Sequence, residues 1–222
     1  MAGQRGGVTM YSVKEIYYTL QGEGAQTGRA AVFLRFSGCN LWSGREADRA
    51  SAVCRFCDTD FIGTNGPGGG KFEDADALAD AVFRAWPHDS SGRRARLYVV
   101  ITGGEPLLQL DEALISALKQ RRFEVGIETN GTLAAPPHLD WICVSPKAGA
   151  PLAQRFGDEL KLIFPQEDAD PECYEGLDFK HFFLQPLDNA GRQRNIAAAA
   201  AYCLAHPLWR LSLQTHKLIG LP

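Results

Sequence analysis

Residues 96–106 read Arg-Leu-Tyr-Val-Val-Ile-Thr-Gly-Gly-Glu-Pro, and this stretch decides the fold class. The aromatic and β-branched run over 96–101 has the composition of a buried strand. Two glycines and a proline stop it, and the apolar pattern over 109–122 that follows has helical period. A strand, a glycine turn and a helix in that order make half of a parallel α/β unit. Outward from it, similar apolar runs recur over 31–36, 123–128, 141–145, 159–164, 181–185 and 210–214. Helical period recurs over 72–86 and 192–205. The connections over 129–140 and 146–158 are about a dozen residues each, near the lower limit for a crossover between parallel strands. An α/β sheet with fewer helices than strands is expected.

Polar groups gather where these strands stop. Ser37-Gly38-Cys39, Thr102 to Pro106, Glu128-Thr129-Asn130-Gly131, Ser145-Pro146-Lys147, Gln185-Pro186-Leu187-Asp188 and Gln214-Thr215-His216-Lys217 all follow an apolar run. In a barrel or an open parallel sheet, the carboxyl ends of the strands line one mouth. Six segments remote in sequence are therefore expected to build a single site.

The 222 residues carry a net charge of -3, with 45% hydrophobic and 22% charged residues, the balance of a soluble globular protein. This excludes the disordered classes and gives no basic surface for nucleic acid. No run approaches the roughly 18 apolar residues of a membrane span, and no signal-peptide pattern opens the chain, so a cytoplasmic location is expected. One domain over 9–222 is expected, preceded by a disordered glycine-rich opening over 1–8. The loop-like stretches over 63–70 and 88–94 do not divide it.

Six cysteines in a reducing compartment are metal ligands, redox groups or small buried apolar residues. Cys39, Cys54 and Cys57 form C-x14-C-x2-C directly after a strand, whereas Cys143, Cys173 and Cys203 are isolated and read as packing. Three thiolates hold a 4Fe-4S cluster and leave its fourth iron open to an external ligand. A Zn site using these three and a histidine such as His88 is the alternative. The alternating charges of Arg45, Glu46, Asp48 and Arg49 suit a short solvated helix between the first two cysteines.

This arrangement resembles the radical S-adenosylmethionine superfamily, whose signature is C-x3-C-x-aromatic-C after the first barrel strand, with Phe56 here in the aromatic place. Lengthening the first spacing from three residues to fourteen costs only about 1.4 kcal/mol of loop closure. Metal ligation of roughly 10 kcal/mol or more dwarfs that. Gly103-Gly104-Glu105-Pro106 resembles the superfamily's second signature, in which glycines let backbone approach the methionyl part of the cofactor. A plain strand-to-helix turn would explain the Gly and Pro but not Glu105. Tyr18-Thr19-Leu20-Gln21-Gly22-Glu23-Gly24, with Arg35, is similar to the 7-carboxy-7-deazaguanine synthase family, over about 13–222.

The resemblance implies a trimmed, partial TIM-type barrel of about six parallel strands and three helices. It implies reductive cleavage of S-adenosylmethionine, hydrogen removal from C6 of 6-carboxy-5,6,7,8-tetrahydropterin, and ring contraction with loss of ammonia. It assigns Cys39, Cys54 and Cys57 to the cluster and Thr59 to Mg2+. Leu20, Gln21, Gly22, Arg35, Thr102, Glu128, His216 and Pro222 fall to the substrate. Gly104, Ser145, Pro146, Lys147, Gln185, Pro186, Leu187 and Asp188 fall to S-adenosylmethionine. It assigns no protein acid or base. A homodimer and an electron donor such as flavodoxin are implied partners.

Without the resemblance Thr59 reads as a surface residue; the alternative readings are a solvent-facing strand arginine for Arg35 and a turn residue for Asp188. The apolar end Leu218-Ile219-Gly220-Leu221-Pro222 is expected to pack, with a terminal carboxylate accepting pterin N–H groups. A glycyl-radical activase shares both signatures and is the nearest rival.

Overall fold

The computed structural model describes residues 10–87 and 96–222. The expected disorder over 1–8, the loop over 88–94 and His88 lie outside the described residues. Nine strands form one sheet in the order β3-β1-β2-β4-β5-β6-β7-β8-β9. From β2 (Ala30–Phe36) through β4 (Leu97–Gly103), β5 (Phe123–Thr129), β6 (Trp141–Val144), β7 (Phe156–Phe164), β8 (Asp178–Pro186) and β9 (Trp209–Leu211), every pairing is parallel. β1 (Tyr11–Leu20) runs antiparallel to β2, and β3 (Gly70–Phe72) antiparallel to β1. The four α-helices are α1 (Ala75–Ala85), α2 (Glu112–Gln120), α3 (Arg192–Ala205) and α4 (Thr215–Ile219).

Period-two alternation sorts each strand into two faces. Val32, Leu34 and Phe36 of β2, Val99 and Ile101 of β4, and Val125 and Ile127 of β5 are buried with Leu78 and Val82 of α1 and Leu114 and Leu118 of α2. Leu160 and Leu162 of β7, Leu184 of β8 and Trp209 of β9 form a second apolar cluster with Ala199 of α3. The residues between them, Ala31, Phe33, Tyr98 and Val100, pack together on the opposite face. Arg35, Thr102, Glu128, Lys161 and Gln185 continue that inner face toward the carboxyl ends of their strands.

The sheet is open but curled. The chain beyond β9 returns to the end of β1, where the Thr215 amide donates to the Gly22 carbonyl at 2.9 Å and the Gly24 amide to Ser212 Oγ at 2.9 Å. Thr19 Oγ1 donates to the Pro222 carbonyl at 3.3 Å.

Several expectations need correction. Among the described residues seven strands are mutually parallel where about six were expected, and four α-helices stand in place of three. β1 escapes a period-two reading because a bulge between Val13 and Glu15 shifts its register, so that Val13 and Lys14 are both buried. Helix α1 begins at Ala75 rather than Phe72, because the Asp74 carboxylate caps the Ala77 amide at 2.7 Å and Phe72 belongs to β3. Asp111 starts α2 at Glu112 by accepting from the Leu114 amide at 3.0 Å, and also receives the Tyr11 hydroxyl at 2.7 Å. β9 occupies only Trp209–Leu211, since Gln214 already leads into α4. The expected short helix between the first two cysteines is a 3-10 helix, Glu46–Ser51.

Candidate active site

The inner-face residues and the segments beyond the strand ends enclose a cavity of about 390 Å³, within the range of small-molecule sites. Of the residues assigned above, all but Pro146 line it. The Pro146 loop is held from behind, with Gln166 Nε2 donating to its carbonyl at 3.5 Å and Gln166 Oε1 accepting from the Ala148 amide at 2.9 Å.

The three cysteines share one side of this cavity. Arg49, from the insertion between Cys39 and Cys54, lies 4.1 Å from the centroid of the Trp42 ring, and Trp42 packs edge-on against Phe61 at 5.6 Å. From there Arg49 Nη1 donates to the Arg55 carbonyl at 2.9 Å and the Cys57 carbonyl at 3.2 Å. The extra residues therefore act as a clamp on the Cys54 to Cys57 turn. A hydrogen bond from Cys54 brings the Cys57 thiol down to about 6 and pushes the Cys54 thiol up, and burial raises that of Cys39.

Among the described residues, no three His, Cys, Asp or Glu side chains stand close enough to hold a single metal ion. A cluster is different, because each thiolate binds a separate iron, and three cysteines facing one cavity suit it. The half-buried Lys147 ammonium, bonded to the Ser145 carbonyl at 2.6 Å and Ser145 Oγ at 2.8 Å, adds positive charge beside the thiolates.

Gly103 and Gly104 are required by close approach of the Cys39 loop. Gly103 has φ +151°, and a Cβ there would meet the Phe36 carbonyl oxygen at 2.5 Å. A Cβ on Gly104 would collide with the Gly38 carbonyl and the Cys39 side chain. Glu105 is fully buried and accepts from the Leu107 amide at 2.9 Å, the Asn130 amide at 2.8 Å and Thr129 Oγ1 at 2.7 Å. Asn130 Nδ2 then donates to Asn40 Oδ1 at 3.0 Å, beside Cys39. Glu105 thus ties the ends of β4 and β5 to the cysteine loop, a role that a plain turn would not need.

At one corner, Arg35 donates from Nε to Glu15 Oε1 at 2.7 Å and from Nη2 to the Tyr17 hydroxyl at 2.8 Å. Arg35 is not solvent-facing, and its Nη1 and second Nη2 hydrogens are left for a ligand. Thr59 lies between two carboxylates already paired with lysines. Asp60 accepts from Lys14 at 2.7 Å and Asp58 from Lys217 at 2.8 Å. Lys217 also reaches Asp188 at 2.6 Å, so Asp188 is tied across the cavity mouth rather than only closing a turn.

At the opposite corner a hydrogen-bonded chain crosses the floor. Gln21 Nε2 donates to Glu128 Oε1 at 2.7 Å, Lys161 Nζ to Glu128 Oε2 at 3.2 Å and Glu23 Oε2 at 2.5 Å, and Gln214 Nε2 to Glu23 Oε1 at 3.0 Å. Burial would raise the Glu23 carboxyl, but Lys161 and its other donors hold it down at about 2. His216 sits over Gly22, where a Cβ would strike the imidazole, and burial lowers the tendency of that ring to protonate.

No family model matches the chain. A protein named 7-carboxy-7-deazaguanine synthase from Bordetella pertussis is 63% identical over 212 residues, spanning 96% of this chain and 99% of that protein. One of the same name from Caulobacter vibrioides is also 63% identical over 212 residues, with the same coverage. The chain belongs to the 7-carboxy-7-deazaguanine synthase family. The crystal structure of QueE from Escherichia coli superposes with a TM-score of 0.68 at 27% identity, covering 93% of this chain and 94% of that one. This likeness to a QueE fits the sheet to a radical S-adenosylmethionine α/β fold. Membership in the 7-carboxy-7-deazaguanine synthase family makes the chain an enzyme, and sets aside the activase and the Zn-binding module.

Lys161 and Glu23 escaped the sequence reading as site residues. Parity within β7 is the signal that finds Lys161, since Leu160 and Leu162 face the apolar cluster and the lysine between them must face the cavity. The expected packing of the C-terminal segment is corrected: Leu218 is 59% and Ile219 62% exposed. The five-residue α4 turns His216 toward the cavity and leaves its apolar side chains outside.

Proposed function

We propose that the chain converts 6-carboxy-5,6,7,8-tetrahydropterin to 7-carboxy-7-deazaguanine, with loss of ammonia, inside this one cavity. The observation that carries the reading is the meeting of Cys39, Cys54 and Cys57 with Arg35 and Glu128 around about 390 Å³. When bound, a 4Fe-4S cluster and S-adenosylmethionine supply the one-electron chemistry that starts hydrogen removal from C6 of the pterin. The protein's residues orient the reactants. Arg35 grips the 6-carboxylate end-on with both terminal nitrogens, because Glu15 and Tyr17 fix its plane. Glu128 accepts from the pterin N–H edge, with Leu20, Gln21, Gly22, Thr102, His216 and Pro222 around the ring.

Gly104 offers backbone to the cofactor's methionyl part, and Ser145, Pro146, Lys147 and the turn of Gln185, Pro186, Leu187 and Asp188 shape the rest of its seat. That turn is rigid, with the Leu187 amide on the Phe164 carbonyl at 2.8 Å and Asn195 Nδ2 on the Leu187 carbonyl at 2.7 Å. In this reading the sheet is a trimmed barrel, and the enzyme is a cytoplasmic homodimer reduced by a donor such as flavodoxin. Anaerobic reconstitution followed by mass spectrometry tests the reaction. The deazaguanine acid should form only with both pterin and S-adenosylmethionine present, and its absence from a fully loaded enzyme would refute the assignment.

Mg2+ fits beside Thr59. It binds through few protein oxygens and keeps water and substrate oxygens in its octahedron. With Asp58 and Asp60 each neutralised by a lysine, the Thr59 hydroxyl and the substrate carboxylate are the remaining donors. Thr59→Val should therefore lower turnover about tenfold and raise the Mg2+ requirement, about 1.4 kcal/mol of metal binding. The cluster spectrum should not change. Activity in metal-free buffer equal to that with Mg2+ would remove the metal from the account.

A further inference from the structure

Lys161 is 3% exposed, yet it lines the cavity rather than the apolar layer behind the sheet. An ammonium has three N–H donors. Two of them go to Glu23 Oε2 at 2.5 Å and Glu128 Oε2 at 3.2 Å, and the third has no partner among the described residues. Glu128 is fixed from its other side by Gln21 at 2.7 Å. A donor with one hydrogen to spare and an acceptor with lone pairs to spare thus stand side by side on β7 and β5. Burial works against the lysine's charge, but Glu128, Glu23 and Glu159 around it keep it protonated.

This pairing has the polarity of a receptor for a cyclic amide, whose C=O and N–H lie next to each other on one edge. We infer that Lys161 and Glu128 read the lactam edge of the pterin, Lys161 donating its third hydrogen to the ring carbonyl oxygen while Glu128 accepts from the adjoining ring N–H. The inference rests on the functional reading above and deepens it: Lys161 becomes a specificity-determining residue for rings carrying that carbonyl. Such sites discriminate strongly, because an analogue lacking the matching atom leaves a buried polar group unpaired.

A rival role is simple charge balance, in which Lys161 only keeps Glu23 and Glu128 apart. The two roles separate in the variant Lys161→Met with Glu23→Gln, which removes one charge of each sign and leaves Glu128 with Gln21. The measurement is equilibrium binding to the reconstituted holoenzyme, with S-adenosylmethionine present, of 6-carboxypterin and of its thiocarbonyl analogue, which keeps the ring N–H that Glu128 accepts but puts sulfur, a weak acceptor, in place of the carbonyl oxygen. Wild-type enzyme should prefer the carbonyl form by at least about tenfold, and the double variant should show a preference within about twofold. S-adenosylmethionine affinity and the cluster spectrum should be unchanged. A preference that survives in the double variant would overturn the lactam assignment alone. A wild-type holoenzyme that binds neither pterin would overturn it together with the functional reading.

Discussion

Cys57→Ala should yield a folded chain that retains no stable four-iron cluster and loses turnover by at least about 100-fold. The full ligand set of a structural metal site is worth roughly 10–16 kcal/mol, so one thiolate of three carries on the order of 3–5 kcal/mol. Nothing nearby can replace it, since Asp58 is engaged by Lys217 and among the described residues no other cysteine lines the cavity. Cys54→Ala should behave alike, whereas Cys143→Ala should keep the cluster, because Cys143 is buried within β6 on the register of Glu128 and Glu159. Iron and sulfide analysis with visible spectroscopy on anaerobically prepared protein decides the matter. Stoichiometric Zn without sulfide in the wild-type protein would overturn the cluster assignment.

Arg35→Ala should weaken pterin binding by about 2–4 kcal/mol, roughly 30-fold to 700-fold, through loss of a charge-assisted bidentate contact at a largely buried guanidinium. Glu15 would lose its partner as well, but its side chain is 23% exposed and water takes up part of that cost. Arg35→Lys should recover only a fraction, because a single ammonium cannot hold Glu15, Tyr17 and a carboxylate in one plane. S-adenosylmethionine binding should survive in both variants. An equal loss of both affinities would mean that Arg35 organises the inner face rather than the substrate.

The strand ends were legible because each apolar run stops at a polar segment, and a parallel sheet brings such ends together whatever their separation in sequence. Helix α3 is read with its observed bounds because its alanine-rich run is long and uninterrupted. β1 was not legible as a strand, since the bulge that buries Lys14 beside Val13 erases alternation and the lysine finds its partners, Asp60 and Asn65, about fifty residues away. The three-residue β3 and β9 and the five-residue α4 are too short to show a period, and tertiary contacts decide them. Glu105 stood out as unexplained by a turn. Its actual work, joining two strand ends to the cysteine loop, depends on the Thr129 and Asn130 positions that only the fold brings near. The floor network joins Glu128 of β5 and Lys161 of β7 to Gln21 and Glu23 in the segment after β1; parity finds Lys161, but no period places Glu23 beside it.

The central claim is that cluster, S-adenosylmethionine and pterin share one cavity, and transfer of hydrogen between the two small molecules tests it most directly. The substrate would carry deuterium at C6, and the reconstituted enzyme would turn it over anaerobically with unlabelled S-adenosylmethionine and a reductant. The account predicts deuterium in the 5′-deoxyadenosyl carbon of the recovered cofactor, together with 7-carboxy-7-deazaguanine. Cofactor cleavage that proceeds at the same rate without pterin, leaving neither deuterium transfer nor deazaguanine product, would contradict it.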